Sequence, residues 1–282
     1  MDYKTILTVL SNPADAKLAI SAAARLARAQ DAHLDVLVLG VDRTQMGYSY
    51  IGTGAVLMQV GIDRAETDAK ALELEARAAL AAEGPDLRFS VETVITQLGA
   101  LTDLVSSRAR FADLVVQPRP YGPGASPDAE AVVEAALFDG KAPVLVLPAT
   151  GLGKYTQPKR IVLAWNQSAE AMVAARRALP FLKCADSVNI TVIDPPTQGE
   201  ERSDPGGMLC QLLTRHGVHA EVSVLARTLP QTCDVLTRHA IDQNADMLVM
   251  GAYGHSRLRE AILGGTTRYM LERAEIPVLM AH

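Results

Sequence analysis

Cysteine is scarce in this chain: only Cys184, Cys210 and Cys233 occur among 282 residues. All three lie in the second half, none has CxxC spacing, and their number is odd. That excludes a disulfide framework and leaves reduced, mostly buried thiols as the expectation. Aromatics are equally thin at 4%, so the core has to come from the Ala, Val and Leu of the 49% apolar fraction. No apolar run reaches the ~18 residues needed to span a bilayer, and MDYKTILTVL lacks the layout of a signal peptide. Neither charge dominates. A net charge of −5 argues against a broad nucleic-acid or anionic-membrane footprint. The expectation is a soluble, cytoplasmic protein with no nucleic-acid and no membrane partner. There is no GK[ST] phosphate loop, and Gly52-Thr53-Gly54 lacks the third glycine of a dinucleotide fingerprint. His216-x2-His219 has metal-ligand spacing, but no nearby carboxylate or thiol pattern completes it.

What is present is a repeated unit. The length suits two domains of about 140 residues better than one. KTILTVL from Lys4 is restated as KRIVLAW from Lys159, ADLVV from Ala112 as ADMLV from Ala245, and APVLV from Ala142 as IPVLM from Ile276. The offsets are 155 (4 to 159), 133 (112 to 245) and 134 (142 to 276), and the matched segments fall in one order. Short buried strands alternate with helical spacing, as at Leu18, Ala22, Leu26 and Ala29, or Ala65, Ala69, Leu72, Ala76 and Ala79. Asn12 with Pro13 reads as a helix start. A glycine-, tyrosine- and methionine-rich loop is expected over GYSYIGTGAVLMQVG, with a helix from Ile62 to Ala82. The pattern predicts an α/β fold of two tandem doubly wound domains, residues 1–149 and 158–282, each a mostly parallel five-stranded sheet flanked by helices. In such sheets a ligand lies beyond the strand C-termini, at the switch in strand order.

One stretch reads as a site, ADMLVMGAYGHSRLREAILGGTT from Ala245 to Thr267. Gly251 and Gly254 follow a buried strand, where backbone can turn and a ligand can approach without meeting a Cβ. Nine residues later Gly264-Gly265 and Thr266-Thr267 open a helix, whose free N–H groups and dipole suit phosphate. His255, Arg257, Arg259 and Arg268 could offset phosphate charge, although Arg257 and Arg259 also fit a solvated helix face.

Gly251-x2-Gly254-x9-Gly264 followed by a small or hydroxyl run resembles the nucleotide-binding signature of the universal stress protein (UspA-like) family, and both halves of the chain resemble that family. The resemblance implies a tandem protein of two UspA-like domains, related to adenine nucleotide α-hydrolase-like folds, in which ATP binds in some members and not in others. Position by position it places Ala164, Trp165 and Asn166 at the ribose end of the first strand, with Asn166 where the family usually has aspartate. It places Val192 at the adenine, and Met250, Gly251 and Gly254 around ribose and α-phosphate. Gly264, Gly265, Thr266 and Thr267 then form the phosphate turn, with Gly265 where the family generally has Ser or Thr. The loss of that hydroxyl is worth roughly 1.5–3 kcal/mol if it met a charged oxygen.

In the first half the equivalent stretch is QPRPYGPGASPDAEAVVEAAL, with prolines at 118, 120, 123 and 127 and no Gly-x2-Gly, and Ser11-Asn12 stand at the first strand's exit. Proline donates no N–H, so that half is degenerate for ATP. It could pair with the second half or hold another ligand near its GYSYIGTG loop. The leading expectation is a non-catalytic ATP-binding regulator of the stress response with nucleotide in the second half. The two halves would pair through their last strands as a pseudo-dimer, and further homodimerisation stays open. The alternatives are a slow ATPase or phosphotransferase acting on Mg-ATP, with Asp194 the nearest metal candidate, and a nucleotide-free ligand- or partner-binding module.

Overall fold

The computed structural model describes residues 2–44, 54–122, 125–152, 157–195, 203–252 and 265–282, excluding the side chains of 54, 55 and 57. The chain divides into two compact units, Tyr3–Ala142 and Pro143–His282. Each is an α/β assembly around a mostly parallel sheet flanked by helices.

In the first unit β1 (Thr5–Leu10) leads into α1 (Pro13–Ala29). The Ala14 N–H donates to Asn12 Oδ1 at 3.1 Å and Pro13 occupies the first turn, as a helix start of this sequence requires. The face of α1 carrying Ala16, Ala19, Ile20, Ala23 and Leu26 is buried. Next come β2 (His33–Asp42), α2 (Gly54–Ala82), β3 (Phe89–Gln97), α3 (Leu101–Ala109), β4 (Leu114–Pro118) and α4 (Ala129–Glu134). α4 runs on through a π turn, Ala135–Asp139. The strands order as β3-β2-β1-β4, all parallel. α2 begins at Gly54 rather than Ile62, because the Val-Leu-Met-Gln run after Gly54 is continuous with the amphipathic spacing that follows it.

The second unit contains β5 (Val144–Leu147), β6 (Arg160–Trp165), α5 (Ala169–Arg177), α6 (Leu179–Leu182) and β7 (Ser187–Ile193). It continues with α7 (Gly207–Arg215), β8 (Ala220–Leu225), α8 (Thr232–Asp242), β9 (Met247–Gly251), α9 (Thr266–Arg273) and β10 (Val278–Ala281). Its strand order is β5-β10-β9-β6-β7-β8, parallel except for β5, which runs antiparallel to β10 with Val144 opposite Met280. β6 is therefore the switch point. The chain leaves it toward β7 on one side and β9 lies on the other, which opens a crevice beyond their C-termini.

The repeat extends to individual hydrogen bonds. In the first unit Asp113 Oδ2 accepts from the backbone N–H groups of Lys4 and Thr5, at 2.8 and 3.0 Å. In the second, Asp246 Oδ2 accepts from Lys159 and Arg160, at 2.9 and 3.0 Å. Each carboxylate thus closes the N-terminal end of a first strand whose donors would otherwise lack partners. Lys4 Nζ meets Asp31 at 3.2 Å, and Lys159 Nζ meets Asp186 at 3.4 Å. Cys233 is buried, and burial pushes its thiol pKa up, while Cys210 is half-buried. Cys184 lies on the surface, since it follows the end of α6 rather than facing the sheet. All three are free thiols.

Candidate functional site

The crevice of the second unit is framed by the ends of β6, β7 and β9 and the starts of α5 and α9. Trp165 pairs in register with Val192, and both are buried. Continuing the β6–β9 register from Leu163↔Val249 brings Ala164 beside Met250 and Trp165 beside Gly251. Ala164, Trp165, Asn166, Val192, Met250 and Gly251 therefore gather at one sheet edge. Gly265, Thr266 and Thr267 open α9, which leads into β10 parallel to β9, so the start of α9 lies at that same edge. Gly254, His255, Arg257, Arg259 and Gly264 lie outside the described residues.

The two helix starts at this edge are chemically unlike. At α5, Ser168 is the N-cap and its Oγ accepts from Ala171 N–H at 3.1 Å. Asn166 Oδ1 accepts from Ser168 N–H at 3.2 Å, leaving the amide Nδ2 as the donor Asn166 can offer a ligand. At α9 the N-cap is Gly265, which has no side chain to cap with. The N–H groups and dipole at the positive end of a helix suit an anion. Arg268 Nε donates to Glu272 at 3.0 Å.

Gly251 has a packing reason that the sequence does not disclose. A Cβ there would lie 2.6 Å from Ala171 N and 2.7 Å from Glu170 C, so only glycine lets the first turn of α5 rest on the end of β9. The position equivalent by the 133-residue offset is Pro118 (251 − 133). Asp194 adopts φ +46, and its Oδ1 accepts from Arg227 N–H at 3.0 Å, with Arg227 Nε 3.7 Å from Oδ2. Its carboxylate thus ties the exit of β7 to the exit of β8. Among the described residues no group of three or more His, Cys, Asp or Glu side chains is placed to hold a metal ion.

The first unit's crevice, beyond β1 and β4, is filled by its own side chains. Ser11 Oγ and Ser126 Oγ are 3.0 Å apart, and Ser126 Oγ accepts from Asp128 N–H at 3.3 Å. The buried Asp128 carboxylate pairs with Arg43. The space lined by Ser11, Asp15, Gln117 and Ser126 is about 20 Å³, room for one water-sized group. Gln117 Nε2 is buried there with no partner among the described residues, and burial raises the pKa of the Asp15 carboxyl. Sequence reading missed this self-closure, because Ser11–Ser126 and Arg43–Asp128 join segments 115 and 85 residues apart.

Residues 158–282 match the Universal stress protein family. A universal stress protein of Synechocystis sp. is 25% identical over 239 residues, spanning 81% of this chain and 79% of that protein. Among solved structures, a universal stress protein from Archaeoglobus fulgidus superposes with TM-score 0.70 at 17% identity, covering 98% of this chain and 95% of its own. A functionally unknown protein from Pseudomonas aeruginosa superposes with TM-score 0.58 at 17% identity, covering 99% and 92%. Among the described residues no helix is long and apolar enough to cross a membrane.

Proposed function

We propose that this chain is a universal stress protein, as the match of residues 158–282 to that family suggests, and that its second unit binds one adenine nucleotide, ATP, as a regulatory ligand while the first unit binds none. The observation that carries the reading is the helix start of α9 with glycine at its N-cap, Gly265, set at the same sheet edge as the exits of β6, β7 and β9. In this reading the adenine lies against the backbone of Val192, and the ribose meets Asn166 Nδ2. The phosphates take the N–H donors of α9 together with Gly254 and Gly264. A backbone donor to a charged oxygen contributes about 1.5–3 kcal/mol, and the helix dipole adds about 0.3–1 kcal/mol. Those terms can replace the hydroxyl that Gly265 lacks. Mg accompanies ATP through the phosphates themselves, since Asp194 is engaged with Arg227. In this reading the chain acts as a tandem, cytoplasmic regulator of the stress response.

Titration calorimetry of the full chain with ATP and with GTP, alongside native mass spectrometry, tests the proposal. One site per chain with a preference for ATP is expected. Gly265→Asp, which sets a carboxylate against the phosphates, should weaken binding on the order of a hundredfold while circular dichroism stays unchanged. Absence of ATP binding by the unaltered chain, or undiminished binding by Gly265→Asp, would overturn it.

A further inference from the structure

At the opposite ends of the strands the second unit has a groove. It lies between α8 and α9, with Ile241, Met270 and Ala274 as walls, and with Leu248 and Val278, paired in register, as floor. Glu275 stands exposed at its rim. Its volume is about 270 Å³, just under the range of small-ligand pockets and enough for one aromatic side chain. In the first unit the corresponding elements meet directly. Gly140, equivalent to Ala274 by the 134-residue offset, lies so close to α3 that a Cβ there would be 2.7 Å from Ala109 Cβ.

The first unit presents the complementary shape. Phe111 follows α3 and is 83% exposed, in a chain with only four phenylalanines. Its equivalent by the 133-residue offset, Asn244, lines the groove, so knob and groove occupy matching places in the two copies of the repeat. Charge agrees with shape, because the exposed Arg110 adjoins Phe111 and the carboxylate of Glu275 stands at the groove's rim. A large aromatic flanked by arginine is the residue type that anchors protein–protein contacts by entering a pocket.

We propose that the α8–α9 groove of one chain receives Phe111 of a second copy, with Arg110 of the incoming copy set against Glu275.

The test uses full-length chains in a Cys184→Ser background, which removes the exposed native thiol. Phe111→Cys and Ile241→Cys are prepared as separate proteins, mixed, and oxidised gently. A disulfide-linked pair containing one chain of each variant, abundant in the mixture and scarce in either variant alone, is the expected result. Sedimentation should also show self-association of the unaltered chain weakened about tenfold or more by Phe111→Ser. No cross-linked pair above the level of the single variants, or equal linkage by Phe111→Cys alone, would overturn the proposal. So would self-association indifferent to Phe111→Ser, whose exposed position keeps loss of folding from mimicking the effect.

Discussion

The two units share the hydrogen bonds that hold the starts of their first strands and differ in the residues beyond their strand C-termini. Asp113 and Asp246 hold the starts of β1 and β6 with nearly identical pairs of hydrogen bonds, and Lys4–Asp31 and Lys159–Asp186 repeat beside them. Beyond the strand C-termini the likeness ends. Pro118 stands where Gly251 does, Ser11 and Ser126 close one crevice, and Gly265 is the N-cap of α9 in the other. The matched bonds lie at the starts of the first strands, and the contrast in crevice residues lies at the strand ends. If the second crevice is the nucleotide site we propose, a duplicated chain can lose such a site in one copy without loosening its sheet.

Mutation can break that comparison where it should be strongest. Gly265→Asp should cost ATP affinity on the order of a hundredfold by calorimetry, the equivalent of about 2.7 kcal/mol. Pro118→Ala in the first unit should leave it untouched. Next in size is Gly251→Val. Its Cβ would meet the backbone of α5, which must retreat, so urea unfolding should show a loss of about 2–3 kcal/mol. Asp113→Ala and Asp246→Ala sharpen the other half of the comparison. Each strands two backbone donors, and each should cost about 1–3 kcal/mol. The two should be alike within a few tenths and add in the double variant. A cost confined to one unit would show the shared bonds to be unequal.

The smallest effect is a pH dependence confined to the second unit. His239 is on the buried face of α8, with Nε2 3.0 Å from Asn189 Oδ1, and Asn189 Nδ2 donates to Ser223 and Glu221. Burial lowers the His239 pKa below its ordinary 6.5, partly offset by Asp242 and Glu221. The folded state thus binds the proton less readily than the unfolded chain. This stability is complete above about pH 6.5 and is lost as pH falls through the depressed folded value. Urea unfolding at pH 7.5 and 5.0 should show the decline, and His239→Gln should flatten it.

Much of the fold was legible because buried parallel strands are short apolar runs and duplication writes each of them twice. The α1 start at Asn12-Pro13 and the cap at Ser168 were legible because capping is local chemistry. Other features were hidden where their causes are distant in sequence. Gly251 reads as a ligand-facing turn glycine until the first turn of α5 is seen lying on it. The closure of the first crevice through Ser126 and Asp128 has no local signal. Arg268, a candidate phosphate cation from the sequence, also pairs with Glu272 one helical turn away. Spacing reported which residues share an edge, and packing decided which of them are spent.

The antiparallel contact of β5 with β10 sets an order of events during synthesis. Val144 leaves the ribosome 136 residues before its partner Met280 (280 − 144). At roughly 5–20 residues per second, β5 waits on the order of ten seconds for that neighbour. Its sequence, Val-Leu-Val-Leu, is the kind of apolar edge that recruits strands from other chains. Slower translation of the last stretch would lengthen that exposure, so the yield of soluble protein should depend on how fast the second unit is made.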